Sequence, residues 1–152
     1  MLNPYAAYVK GRDPIATLRA TPEKLAQLAA APSRPAEPGK WDIREVTCHL
    51  ADCEITFGFR LRQAVAEDHH VIQPFDQDRW AAVYSAYGLK AALDVFSSLR
   101  GWNLTFIQAL TPDAVAKPVT HPERGTMTVQ TILETMAGHD LNHLRQIEAL
   151  AA

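Results

Sequence analysis

Apolar residues recur at steps of three and four along most of the chain, the period of a helix with one buried face. Asp13-Pro14 reads as a helix start, with Asp as N-cap and Pro at the first helical position. Ile15, Leu18, Leu25, Leu28 and Ala29 carry the stripe onward, and Thr21-Pro22 interrupts it. The spacing predicts a helix over 13–31, kinked or broken at Pro22. Pro32, Pro35, Pro38 and Gly39 mark a loop over 32–40. A second helix starts at Asp42, with Glu45 completing a capping box and Trp41 placed to staple onto Val46. It is predicted to run to about Glu67, with Val46, His49, Leu50, Cys53, Phe57, Leu61, Ala64 and Val65 facing inward.

Residues 68–86 are irregular and predict a crossover with short helical turns. A third helix is predicted over 88–110, its apolar side formed by Ala92, Val95, Phe96, Leu99, Trp102, Phe106 and Leu110. Three prolines and Gly125 make 111–127 a structured loop. The last helix is predicted from Thr128 to the chain end, with Met127 and Ile132 as its staple. Its seam reads Val129, Ile132, Met136, His139, His143, Gln146 or Ile147, and Leu150. No strand-like alternation exceeds four residues, so the pattern is all-α.

The 152 residues suit one domain, 1–152, with a sizeable core. An apolar fraction of 47%, a charged fraction of 21% and a net charge of -2 fit an ordinary soluble protein. Basic residues are scattered, which argues against a nucleic-acid or anionic-membrane surface. No apolar run reaches the length of a membrane span and no signal pattern opens the chain, so the expected location is cytoplasmic. Cys48 and Cys53 fall on different sides of one helix, too far apart for a disulfide. Both are expected as thiols.

The chemistry concentrates in histidine. His139 and His143 are one turn apart on the last helix, and His49 points inward from the second. Each alone reads as a satisfied core histidine. Three neutral imidazoles on the inward faces of two helices need partners for their nitrogens, and one divalent cation provides a shared one. Imidazoles suit zinc, nickel, copper or iron(II). Three protein ligands leave a coordination position open, as in catalytic sites. Cys53, one turn after His49, is either a fourth ligand that would close the site or a small packing residue. The packing reading is preferred.

Trp41-Asp42-Ile43-Arg44-Glu45-Val46, followed by His49-Leu50-Ala51-Asp52 and Glu54, resembles the first signature of the DinB/YfiT-like metal-binding bundle superfamily. His139-Asp140 with His143-Leu144 and Gln146-Ile147 resembles the second. Phe75-Asp76 with Trp80, and His121-Pro122-Glu123 with Gly125, match intermediate landmarks in order. The resemblance implies a four-helix bundle of up-down-down-up arrangement, with zinc or nickel on His49, His139 and His143. Asn142, where relatives often carry histidine, is expected to point away from the metal.

Around the site, Asp140 and Glu54 either orient a ligand imidazole or are solvated surface carboxylates, with the latter favoured for Glu54. Asp76, Gln77 and Trp80 either line the pocket mouth or serve as a helix cap and a core tryptophan. The expected pocket is bounded by Trp41, Asp76, Trp80 and the 121–125 loop, although His121 and Arg124 suit an exposed turn better. His69-His70 is expected in a solvated loop. Two readings of function stand: a metal-dependent enzyme, either a hydrolase or an S-transferase using a low-molecular-weight thiol, and a non-catalytic, stress-associated bundle that binds a metal or small ligand. A small-molecule substrate and a homodimer are expected, the dimer because Phe59, Phe96 and Trp102 exceed what one thin bundle buries.

Overall fold

A computed structural model describes residues 1–32, 34 and 36–151; Pro35, expected in the 32–40 loop, lies outside them. A short turn of helix, α1 (Ala6–Val9), precedes α2 (Pro14–Ala30), whose Asp13 cap accepts from the Ile15 N–H at 2.8 Å. Of the kink or break expected at Pro22, the break does not occur, and α2 runs through it. Pro22 has no N–H, which leaves the Leu18 carbonyl without its usual donor. The Arg100 Nη1 donates to that carbonyl at 2.9 Å. The tertiary structure thus fills the gap that proline creates in the helix.

The second long helix, α3 (Ile43–Ala66), begins with the anticipated capping box between Asp42 and Glu45, and Trp41 packs on the cluster containing Val46. The crossover holds α4 (Gln77–Ala81) and a 3₁₀ turn at Tyr84–Ala86, and α5 (Leu89–Gln108) follows. The segment expected as a loop is more ordered than its prolines suggest. It contains α6 (Pro112–Ala116) and a hairpin of β1 (Pro118–His121) and β2 (Gly125–Thr128), in register from Pro118↔Thr128 to His121↔Gly125. Four-residue strands are too short to show a period in sequence. The final helix, α7 (Val129–Leu150), is capped by Thr128.

Pair contacts give the helix directions. Arg44 at the start of α3 donates to the carbonyls of Tyr84 and Tyr87 just before α5, and Arg62 further along meets Asn103, so α3 and α5 are parallel. Their N-termini lie together, which requires the long 67–88 crossover. His49 meets His143 while Phe57 meets His139, so α3 and α7 are antiparallel. Leu18 lies by Arg100 and Leu25 packs with Phe96, so α2 and α5 are antiparallel. The bundle is up-down-down-up. No helix among the described residues is long and apolar enough to cross a membrane.

The predicted third-helix stripe holds at Ala92 and Phe96, which are buried, and at Phe106 and Leu110, which pack on the core, but not at Val95 and Trp102. The buried face of α5 is Ala92, Phe96, Arg100, Asn103 and Ile107, while Val95 and Trp102 are exposed. Arg100 is inside because it carries an ionic network. It grips Glu54 through Nε and Nη2 at 3.0 and 2.8 Å, and Asp140 through Nη1 and Nη2 at 2.7 and 3.2 Å. Thr21 Oγ1 donates to Asp140 at 2.8 Å, and Asn103 Nδ2 donates to Glu54 at 2.9 Å. Glu54, 1% exposed, is therefore not the solvated carboxylate that was favoured. Together with the histidines, these groups form a polar layer between two apolar clusters. One cluster holds Leu61, Ile107 and Met136, the other Leu50, Phe96 and Ile147. Gly58 permits the close approach that seats Asn103, since a Cβ there would lie 2.7 Å from the Asn103 Oδ1.

Candidate metal centre and adjoining cavity

The capped start of α3 fixes the rotation that turns His49 inward, and one helical turn later Cys53 lies on the same side. The seam of α7 places His139 and His143 opposite. The His49 and His139 Nε2 atoms are 3.0 Å apart, and Cys53 Sγ lies 3.5 Å from His49 Nε2. Donor atoms of His49, Cys53 and His139 all fall within 4.8 Å of one another, and all three residues are buried. The His143 ring is adjacent, with centroids 4.8 Å from His49 and 4.4 Å from His139. Its Nδ1 lies 2.9 Å from the Gln146 side-chain oxygen. That contact places the His143 proton on Nδ1 and leaves Nε2 with its lone pair.

Burial holds the imidazoles neutral. It lowers the His49 pKa to about 3, with His143 adding to the shift, and lowers His139 well below the ordinary value, with both neighbouring histidines adding. Burial lowers His143 as well, opposed by Gln146. It raises the Cys53 thiol, so the uncomplexed group keeps its proton. Neutral imidazoles are the form that binds a metal. Two nitrogens each ~2.0–2.1 Å from one ion, at cis or tetrahedral angles, are separated by ~3.0–3.4 Å. The 3.0 Å spacing between His49 and His139 suits a shared ion. A thiolate sulfur at its usual ~2.3 Å would sit ~3.5 Å from such a nitrogen, so His49, His139 and Cys53 stand at metal-compatible spacings, while His143 meets the group through ring contacts.

The cluster opens on a cavity of about 110 Å³. His49, Cys53 and His139 form one end, and Phe57, Ile72, Phe75, Met127 and Ile132 contribute apolar surface. Tyr5, Arg60, Gln77, His121 and Arg124 supply polar groups. The expected boundary is thus half right. The hairpin residues His121 and Arg124 line the cavity instead of forming an exposed turn, and Gln77 lines it as well. Trp41, Asp76 and Trp80 are outside its lining. Trp41 packs on His49 with ring centroids 5.0 Å apart but at the other end of the bundle site. Asp76 caps α4, accepting from the Asp78 and Arg79 N–H groups. Trp80 is neither a wall nor a core residue. It stacks on Phe75 at 4.7 Å and remains 40% exposed. Asp140 serves Arg100 and Thr21 in the structural network. Asn142 points away as expected, accepting from Tyr8 Oη at 2.8 Å. His70 pairs with Glu67 outside the site.

Sequence reading missed Tyr5, Arg60 and Phe75. Arg60 had a signal: His49, Cys53, Phe57 and Arg60 step by four, four and three along one face of α3. The signal for Tyr5 was Gly138, immediately before His139. A Cβ at Gly138 would come within 2.5 Å of Tyr5 Cβ, and the gap lets the N-terminal segment lay Tyr5 edge-on against His139 at 5.4 Å.

Residues 13–147 match the family model of the DinB superfamily, and the chain belongs to that family. A protein of Oceanobacillus iheyensis, provisionally named a metal-dependent hydrolase, is 31% identical over 74% of this chain and 66% of its own length. A second from the same organism, with the same provisional name, is 23% identical over 72% of this chain and 64% of its own. The chain thus spans just under two thirds of these relatives' length. The solved structure of YfiT from Bacillus subtilis superposes with a TM-score of 0.83 at 23% identity, covering 90% of this chain and 83% of that one. Its published description combines a provisional metal-dependent hydrolase assignment with an unusual four-helix bundle topology. This likeness establishes the fold.

Proposed function

We propose that the protein is a metal-dependent enzyme of the hydrolase type, with a divalent transition metal, zinc or nickel, held by His49, His139 and His143. The 3.0 Å approach of two neutral imidazole nitrogens beside a cavity carries this reading. When bound, the ion supplies Lewis acidity at the cavity end of the site. The chain's own residues bind and orient. His143, with its proton directed to Gln146, presents Nε2. Tyr5, whose pKa burial raises further above neutrality, is protonated and offers a hydrogen-bond donor from the cavity wall. Phe57 and Ile132 give the cavity an apolar wall. Among the described residues no serine or cysteine is arranged as a nucleophile, and burial leaves Cys53 unreactive. The attacking group therefore comes from outside the chain, as water or as a low-molecular-weight thiol.

The test has two parts. Elemental analysis should find up to one transition metal per chain in wild type and much less in His139→Ala; equal content would overturn the site. Loaded protein should then turn over ester or amide substrates without added thiol, and the His139 variant should not. Turnover that requires a thiol would make the protein a transferase. Tight binding of small molecules with no turnover across the panel would make it a binding protein instead.

A further inference from the structure

The cavity beside the histidines has a charge imbalance that the metal reading does not use. Two guanidiniums, Arg60 from α3 and Arg124 from the hairpin turn, line it together with His121, and no carboxylate is among its lining residues. Neither arginine forms an ion pair among the described residues. Arg60 is half-buried, and its Nε is buried without a hydrogen-bond partner there. Its guanidinium lies 5.7 Å from the Phe75 ring centre and 6.0 Å from that of Phe57, while Nη2 reaches the Gln73 carbonyl at 3.2 Å. The group thus lies beside two aromatic rings with donors to spare. Two like charges facing one partly dry cavity repel, and a guanidinium without a counter-ion is costly at such a depth. The cation expected beneath them adds to the same positive field.

We propose that this end of the cavity is an oxyanion subsite, and that the substrate is a small molecule carrying a carboxylate or phosphate. This rests on the reading of the histidine cluster as the reactive end. Arg60 and Arg124 bind the anion, and His121, kept neutral by burial and by the two arginines, adds a neutral polar contact. The fork of an arginine matches either oxyanion. Arg60 is seven residues beyond Cys53, two turns or ~10 Å of helix rise, and helical side chains lean back toward the N-terminus. The anionic group therefore sits a few bonds from the part of the substrate that meets the histidines. This selects compact bifunctional molecules, with an anion at one end and the reacting bond at the other, over neutral esters or long-chain substrates.

The subsite is tested without the metal. Chelator-treated protein is titrated calorimetrically with succinate and, separately, with inorganic phosphate; the tighter probe identifies the anion. Arg60→Gln and Arg124→Gln should each weaken that binding about ten-fold or more, as loss of one partner of a desolvated charge pair does. Arg60→Lys should recover part of it. Arg79→Gln, on a side chain 88% exposed and outside the cavity, should leave it unchanged. Arg124 is on a turn, so its variant tests the idea even if Arg60→Gln fails to fold. Absence of binding to either probe by wild type, or wild-type affinity in both glutamine variants, would overturn the proposal. Metal content measured on the same samples reports on the histidines alone. Unchanged metal in His139→Ala together with arginine-dependent anion binding would remove the metal reading and leave the subsite standing.

Discussion

At the scale of single residues, Cys53 and the histidines decide what kind of site this is. Cys53 Sγ is near enough to His49 to ligate, yet a thiol there also fills the seam. If three histidines hold the ion, cobalt-substituted Cys53→Ala should keep its metal and its absorption spectrum. Loss of a thiolate-to-cobalt charge-transfer band would show a fourth ligand and a closed, structural site. The histidines also set the acid stability of metal-free protein. Their folded pKa values are depressed, that of His49 to about 3. The unfolded chain takes up protons as pH falls through ~6.5, while the folded state does not until much lower. The unfolded state binds more protons in that interval, so stability should drop as pH falls from ~6.5 toward ~4 and stay level above it. Thermal unfolding of chelated protein across this range checks the slope, and His49→Leu should flatten it.

Among the elements, α5 is the one whose role changed between pattern and structure. Its buried face ties α2, α3 and α7 together through Arg100. A guanidinium shared by Glu54, Asp140 and the Leu18 carbonyl is fully hydrogen-bonded, and removing it strands two buried carboxylates. Arg100→Ala should cost on the order of 3–5 kcal/mol in denaturant unfolding. Arg100→Lys should recover little of this, because an ammonium cannot reproduce the fork. An Arg100→Ala midpoint equal to wild type would mean the network is not structural. The hairpin serves both bundle and site: Val119 and Met127 join the apolar cluster of the bundle, and His121, Arg124 and Met127 close the cavity.

At the scale of the whole molecule, the parallel pairing of α3 and α5 leaves an apolar surface on their outer side. Phe96, expected to need a partner chain, is buried in the single bundle, but Phe59 is 58% and Trp102 69% exposed. Ile55 and Val95 line one groove between the same helices. Phe59 follows Ile55 by one helical turn, and Trp102 follows Val95 by two. We propose that a second copy covers this surface across a two-fold axis, as in most soluble oligomers. Light scattering should give twice the chain mass at micromolar concentration, and Trp102→Glu or Phe59→Glu should reduce it to one. A monomeric mass for wild type would contradict the pairing.

What the sequence determined by itself was local. The Asp42–Glu45 and Thr128 caps, the proline and glycine breaks, and the three-four stripes placed four long helices, because caps and periodicity act within a few residues of themselves. The same logic brought His49, His139 and His143 onto inward faces, and the structure brings their rings together. Long-range choices were invisible to it. The partner for the Leu18 carbonyl that Pro22 leaves free is Arg100, 78 residues beyond Pro22. Which face of α5 is buried depends on two carboxylates from other helices, since the exposed stripe ending in Trp102 is as apolar as the buried one. The cavity depends on a hairpin too short to show a period and on an N-terminal tyrosine admitted by Gly138. Packing, charge pairing and burial are properties of several segments at once, and only the assembled bundle chooses among them.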